Sequence, residues 1–179
     1  MKFKEITPVI VNEIYFEAAL KSDSEFVVFE MGSFITLKEK VRVLNEEGKK
    51  VFVKINEIEG LKEEDEASLE YLLSIGVFGI TSNKTKVLNK AKKMGLKVVY
   101  TAFVLDTQSF ATTLKNIQTV KPDIVEVRPG VIAKVIREIR KENPELPIWA
   151  TGLITEEKEI KEAIEAGAQS IVTSKITLW

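Results

Sequence analysis

The sequence contains neither cysteine nor histidine. Without cysteine there is no disulfide, no thiolate zinc site and no thiol nucleophile. Without histidine the commonest general base is missing, and with it any histidine triad or imidazole metal site. Acid–base chemistry is left to Asp, Glu, Lys and Tyr, which makes this a catalyst-poor chain. No run approaches the ~18 apolar residues that a membrane span requires. The first seven residues also lack the apolar stretch of a secretion signal. A cytoplasmic protein without a membrane partner is therefore expected. An excess of charge of one sign is missing too: 26 basic residues face 27 acidic ones, for a net charge of −1. Charge alone gives no global attraction to nucleic acid.

What is present is an ordinary globular composition, 45% apolar and 30% charged over 179 residues, enough for one domain with a real core. Apolar, strand-like runs begin near Phe26, Val51, Val77, Lys97, Asp123, Ile148 and Ser170. Their spacing of about 20–26 residues is that of a compact βα unit with short loops. Amphipathic helices lie between them, one marked by Leu37, Val41 and Leu44 and opened by a capping-box pattern at Thr36 and Glu39. Gly48, Gly76, Gly95 and Gly167 fall where helices end. Residues 8–20 read as an extra helix ahead of the first strand. Seven strand signals are one short of eight, and the chain is shorter than the ~250 residues usual for the β/α barrel. The expected fold is a compact TIM-like β/α barrel of seven strands or eight, one domain over residues 1–179, with that extra N-terminal helix. An open doubly wound sheet is the alternative.

In such folds the ligand sits at the carboxyl ends of the strands. The chain is organised there around Pro147-Ile-Trp-Ala-Thr-Gly-Leu-Ile-Thr155, a buried strand stopping at a glycine, with Thr155 as the expected N-cap of the next helix. One unit later the pattern recurs as Ser170-Ile-Val-Thr-Ser-Lys175. Adjacent unit ends carrying Gly, Thr, Ser and Lys, with helices behind them, favour an anion. Strand alternation puts Lys54 and Asn56 on one face, and likewise Glu126 and Arg128. Buried Lys54 and Glu126 need partners or a ligand; the plain alternative is a structural ion pair between them. Ser82 and Lys84, Asp106, Gly130, Thr151 with Gly152, and Ser174 complete the strand-end candidates, each readable also as a cap or turn residue. Lys84, Lys86, Lys90, Lys92 and Lys93 gather around one helix, and Lys134, Arg137, Arg140 and Lys141 around another. Such faces suit RNA phosphates or are simply solvated.

At these strand ends the chain resembles the glycerol-3-phosphate-responsive antiterminator family. The match comprises Val51-Phe-Val-Lys-Ile-Asn-Glu-Ile-Glu-Gly-Leu61, Phe78-Gly-Ile-Thr-Ser-Asn-Lys84 and Phe103-Val-Leu-Asp-Thr107. It continues through Pro122-Asp-Ile-Val-Glu-Val-Arg-Pro-Gly130, Ala150-Thr-Gly-Leu-Ile154 and Val172-Thr-Ser-Lys-Ile-Thr-Leu-Trp179. The resemblance implies a barrel that binds glycerol 3-phosphate and acts on leader RNA to permit transcription through a terminator. Carried over by position, Gly130, Gly152 and Ser174 line the phosphate end, and Glu59, Glu126 and Asp106 the polyol end. Four positions differ from the family's usual residues: Lys54 and Asn56 replace His and Asp, Thr101 replaces Arg, and Thr151 precedes Gly152 where two glycines are usual.

The leading expectation is thus a regulatory protein of glycerol metabolism that binds glycerol 3-phosphate or a similar small phosphorylated polyol and controls antitermination. Leader RNA and a homo-oligomer are its partners to test. No catalytic residue, cofactor or metal is assigned. The alternative is a phosphosugar-type barrel enzyme with Lys54 as an imine-forming amine and Glu126 as its acid–base partner. A third reading is a family member whose surface serves a protein partner.

Overall fold

The computed structural model describes Met1 and residues 3–179. Eight parallel strands close into a barrel in sequential order: β1 (Ile6–Ile10), β2 (Phe26–Phe29), β3 (Lys50–Lys54), β4 (Gly79–Ser82), β5 (Lys97–Phe103), β6 (Ile124–Arg128), β7 (Ile148–Thr151) and β8 (Ser170–Thr173). The barrel closes where β8 pairs with β1, Ile6 opposite Ile171 and Pro8 opposite Thr173. Among the described residues seven helices lie between the strands: α1 (Glu13–Lys21), α2 (Phe34–Glu46), α3 (Glu66–Ser74), α4 (Thr85–Lys93), α5 (Thr107–Val120), α6 (Ala133–Glu142) and α7 (Glu157–Glu165). Short 3-10 turns follow β3 at Ile55–Glu57 and β8 at Ile176–Leu178.

The eighth strand is the first in sequence, β1, so the helix of residues 8–20 is corrected to α1, the ordinary partner of that strand. Pro8 concealed it, because proline has no N–H for a ladder and is usual at a helix's first position. Two helix starts also move. Helix α2 begins at Phe34, with Thr36 inside the first turn and Glu39 paired to Arg42 rather than capping. Helix α7 begins at Glu157, one residue beyond the Thr155 start. Instead, the Glu159 carboxylate accepts the N–H groups of Thr155 (2.6 Å) and Glu156 (3.0 Å). The four glycines expected to end helices all have φ between 75° and 112°, a backbone region open to glycine.

Two apolar layers result from the two-residue period of the strands. One set of side chains faces the helices and forms the larger core, with Ile10, Val27, Val51, Ile80, Val125 and Ile171 buried against helical Leu37, Leu72, Leu88 and Ile136. The other set fills the barrel: Val9, Phe26, Val28, Phe52, Val99, Ile124, Trp149 and Val172, with Phe3 and Phe78 against them. Here rings meet edge to face, Phe52 on Trp149 at 5.2 Å and on Phe78 at 5.4 Å, while Phe3 stacks on Phe26 at 5.1 Å. Gly79 makes room for this. A Cβ there would come within 2.5 Å of both a Phe52 ring carbon and the Lys97 carbonyl oxygen. Lys50 covers the aromatic floor from below, over the rings of Phe26 and Phe78 and paired to Glu25.

Candidate functional site

One step up the strands from this aromatic floor, the inward positions become polar. Thr101 lies opposite Glu126, and Phe103 opposite Arg128, in the β5–β6 register. Lys54 lies opposite Thr81 between β3 and β4. Glu30, just beyond β2, is fixed by its N–H donating to the Ile10 carbonyl (2.9 Å). A carboxylate only 1% exposed, as Glu126 is, needs charged or hydrogen-bonding partners. It has them: the Thr101 hydroxyl donates to one oxygen (2.7 Å) and Arg128 to the other (2.8 Å). The same guanidinium nitrogen reaches Glu30 Oε1 at 3.1 Å. Lys54 Nζ stands 3.5 Å from that oxygen and 3.5 Å from Glu57. Burial opposes the Arg128 charge most strongly, but Glu126 and Glu30 together outweigh it and raise the guanidinium pKa.

This chain of ions crosses the mouth and divides it. On one side a cleft of about 430 Å³ is lined by Glu30 and Arg128, by Thr151 to Thr155 after β7, and by Thr173 to Lys175 after β8. On the other, a cleft of about 390 Å³ is lined by Lys54, Asn56, Glu57, Glu63, Thr81 to Lys84, Thr101 and Phe103.

The first cleft holds unmatched polar groups. Thr151, 5% exposed, has a buried hydroxyl without a partner among the described residues, and so does the Nε of Arg128. Native structures rarely leave such atoms alone, since each unmatched one costs about 1–3 kcal/mol. Gly152 and Leu153 both adopt positive φ, 85° and 62°. The latter is an uncommon conformation for leucine, of the kind found at binding sites. Among the described residues the N–H groups of Gly152, Leu153 and Ser174 donate to nothing. Lys175 stands over this edge with its amine on the Thr155 carbonyl. The Trp179 indole donates to the Thr173 carbonyl (3.0 Å) and its ring meets Tyr15 edge to face.

Of the residues expected from sequence, Arg128, Thr151, Gly152 and Ser174 line the first cleft and Lys54, Asn56, Ser82 and Lys84 the second, with Glu126 in the wall between. The direct Lys54–Glu126 ion pair is replaced by a relay through Arg128 and Glu30. Gly130 lies behind the first cleft. Its N–H donates to the carbonyls of Thr151 (2.7 Å) and Gly152 (3.1 Å), and a Cβ would sit 2.5 Å from the Thr151 nitrogen. Asp106 caps α5 through the Ser109 N–H (2.7 Å), which holds its carboxyl below the ordinary range. Glu59 is exposed and holds the β2–α2 loop by its backbone, accepting from the Phe34 N–H. Ser82 donates to Glu63 (2.7 Å), and Lys84 pairs with Glu63 and Glu64.

Sequence reasoning gave Glu30 and Tyr15 no role, although Glu30 occupies a strand end, and it placed Lys175 only as part of the anion-favouring end of the last strand. On the basic helices, Lys90 pairs with Glu66, Lys92 donates to the carbonyl ends of α5, and Arg140 to those near Leu146 and Gly167. Lys134, Arg137 and Lys141 on α6 form no ion pair among the described residues. No group of three or more acidic side chains there is placed to hold a metal ion, and no helix is long and apolar enough to cross a membrane.

The geometry has counterparts among known proteins. The chain is 27% identical to the crystal structure of a glycerol uptake operon antiterminator regulatory protein from Listeria monocytogenes, with a TM-score of 0.90 over 98% of this chain and 95% of that one. It is 30% identical to a glycerol uptake operon antiterminator-related protein from Thermotoga maritima, with a TM-score of 0.87 over 99% and 98%. It is also 27% identical over 164 residues to the uncharacterised protein YgcP of Escherichia coli, covering 91% of this chain and 85% of that protein. A deoxyribose phosphate aldolase from Aeropyrum pernix, 16% identical with a TM-score of 0.73 over 97% of this chain and 86% of that one, shares the fold alone. The model of the glycerol-3-phosphate responsive antiterminators matches residues 6–179, and the chain belongs to that family.

Proposed function

We propose that this protein is a ligand-responsive regulator that binds glycerol 3-phosphate or a similar small phosphorylated polyol in the first cleft. The phosphate lies against the loops after β7 and β8, and the polyol points inward to Arg128 and Thr151. The observation that carries the reading is the buried Thr151 hydroxyl without a partner, in a cleft whose rim offers Lys175 and the unmatched N–H groups of Gly152, Leu153 and Ser174. Backbone N–H groups beside a cation make an anion seat, and an orphan hydroxyl deep in the same cleft is completed by a ligand oxygen. The family and the names of its Listeria and Thermotoga structural counterparts support the regulatory role. Binding orders the β7 and β8 loops and favours one state of the molecule, the only way a ligand shifts an equilibrium. The output is antitermination through leader RNA, with the unpaired cations of α6 as the contacting face.

A thermal-shift titration tests the ligand. Glycerol 3-phosphate is expected to raise the melting temperature saturably, while glycerol has no effect and inorganic phosphate a smaller one. A flat response to millimolar glycerol 3-phosphate removes the reading. RNA contact is tested separately, by the steep salt dependence that phosphate contacts impose.

A further inference from the structure

We infer that Glu30 decides what the inner end of the first cleft accepts: hydroxyl groups, and not a second acid group. The ligand is then a phosphorylated polyol and not a phosphorylated acid. This deepens the function proposed above and rests on it.

Glu30 is anchored through its backbone to β1, and its carboxylate lines the cleft. One oxygen, Oε1, is held by Arg128 at 3.1 Å and Lys54 at 3.5 Å. The other accepts no hydrogen bond from the described residues. It is an acceptor at the cleft wall, beside two unmatched groups, the Arg128 Nε donor and the Thr151 hydroxyl.

A ligand hydroxyl satisfies this set. It donates to Glu30 and accepts from Arg128 or Thr151, as only a group with both a proton and lone pairs can do. A ligand carboxylate has no proton to give Glu30 and brings a second negative charge against it. The neighbouring cations do not relieve that charge, because Lys54 and Arg128 are already shared among Glu30, Glu57 and Glu126. The inner wall thus carries more negative than positive groups, whereas the outer rim presents Lys175 and backbone donors. A molecule with one anionic end and one hydroxylated end fits this polarity. The carboxylates assigned to the polyol by position have other work: Asp106 caps a helix, Glu126 is closed off under Thr101 and Arg128, and Glu59 faces solvent.

The test is a calorimetric titration of the wild type and Glu30→Gln with glycerol 3-phosphate and with 3-phosphoglycerate, which differ at the inner end. The wild type is expected to bind glycerol 3-phosphate at least about tenfold more tightly, given the cost of opposing like charges. Glu30→Gln keeps the shape and removes the charge, so glycerol 3-phosphate weakens about tenfold and the preference collapses. A wild type that binds both ligands equally overturns the inference, as does a folded Glu30→Gln that keeps the full preference. In both cases the proposed function survives, because the polyol ester still binds. Binding of neither ligand by the wild type removes the function and the inference together. The wild-type preference needs no variant, so a Glu30→Gln that failed to fold would leave the question decidable.

Discussion

The floor and the mouth of this barrel are built by the same strands and differ in almost everything else. At the floor, Phe3, Phe26, Phe52, Phe78 and Trp149 interlock and a glycine is required where Phe52 needs space. At the mouth, two or four residues further along, the inward positions are Glu30, Lys54, Thr101, Glu126, Arg128 and Thr151, with hydroxyl and guanidinium atoms left unmatched. The floor has one unmatched polar atom of its own, the buried Trp149 indole nitrogen, but rings enclose it and it offers no cleft to a ligand. The mouth sets its unmatched atoms beside a cleft, which is the pattern expected when strand carboxyl ends serve binding and the opposite ends serve the fold.

The contrast is broken most severely at the floor. Trp149→Ala removes the largest fully buried side chain and is expected to cost about 3–5 kcal/mol of unfolding free energy, read by urea denaturation. Any folded fraction should retain its ligand response. At the dividing wall, Glu126→Ala leaves Arg128 with Glu30 alone and the Thr101 hydroxyl without its acceptor. A loss of about 3 kcal/mol is expected in the same assay, because breaking a buried ion pair leaves uncompensated charge. An unchanged denaturation midpoint would show that the wall is not structural.

Thr151→Val sharpens the comparison, since the two properties should move apart. Replacing an unmatched buried hydroxyl by a methyl group of the same shape is expected to leave stability within about 1 kcal/mol or raise it. Affinity for glycerol 3-phosphate, measured by titration, should fall about tenfold. A joint loss of stability and binding would place Thr151 with the floor residues.

The smallest effect is at the rim. Hydrogen bonding from the Ser109 N–H, then from its hydroxyl, holds the Asp106 carboxyl below its ordinary value against a minor opposing effect of burial. A group depressed on folding adds stability that is complete above its unfolded value, about pH 4, and is lost as the pH falls further through the folded value. Asp106→Asn should therefore flatten the acid limb of the melting-temperature profile below about pH 4, through a slightly lower melting temperature at neutral pH and little change in strong acid.

Seven strands were legible because they are apolar runs between amphipathic helices, four of which end at a glycine. The eighth was not, because Pro8 looks like a helix start and only closure against β8 makes Ile6–Ile10 a strand. The start of α2 was misplaced for a similar reason. Phe34 is held by tertiary contacts, its N–H on Glu59 and its ring edge to face with Tyr71 at 6.0 Å, and Thr36 carries no sign of them. Alternation correctly turned Lys54, Glu126 and Arg128 inward; Asn56 lines the same cleft as Lys54 but reaches it from the 3-10 turn, where the two-residue period has ended. The partner of Lys54 was out of reach, because which charge meets which across a barrel depends on its diameter and stagger. The same limit hid Glu30, which acquires its meaning from residues 24 and 98 positions away.

The wall between the two clefts rests on a single oxygen, Glu30 Oε1, which Arg128 approaches from one side and Lys54 from the other. The clefts are therefore not energetically independent. A solute in the second cleft that draws Lys54 away from this oxygen changes how firmly Glu30 holds Arg128, and so the affinity of the first cleft. By linkage the effect runs equally in reverse, which a pair of titrations, each in the presence of the other ligand, measures as one coupling constant.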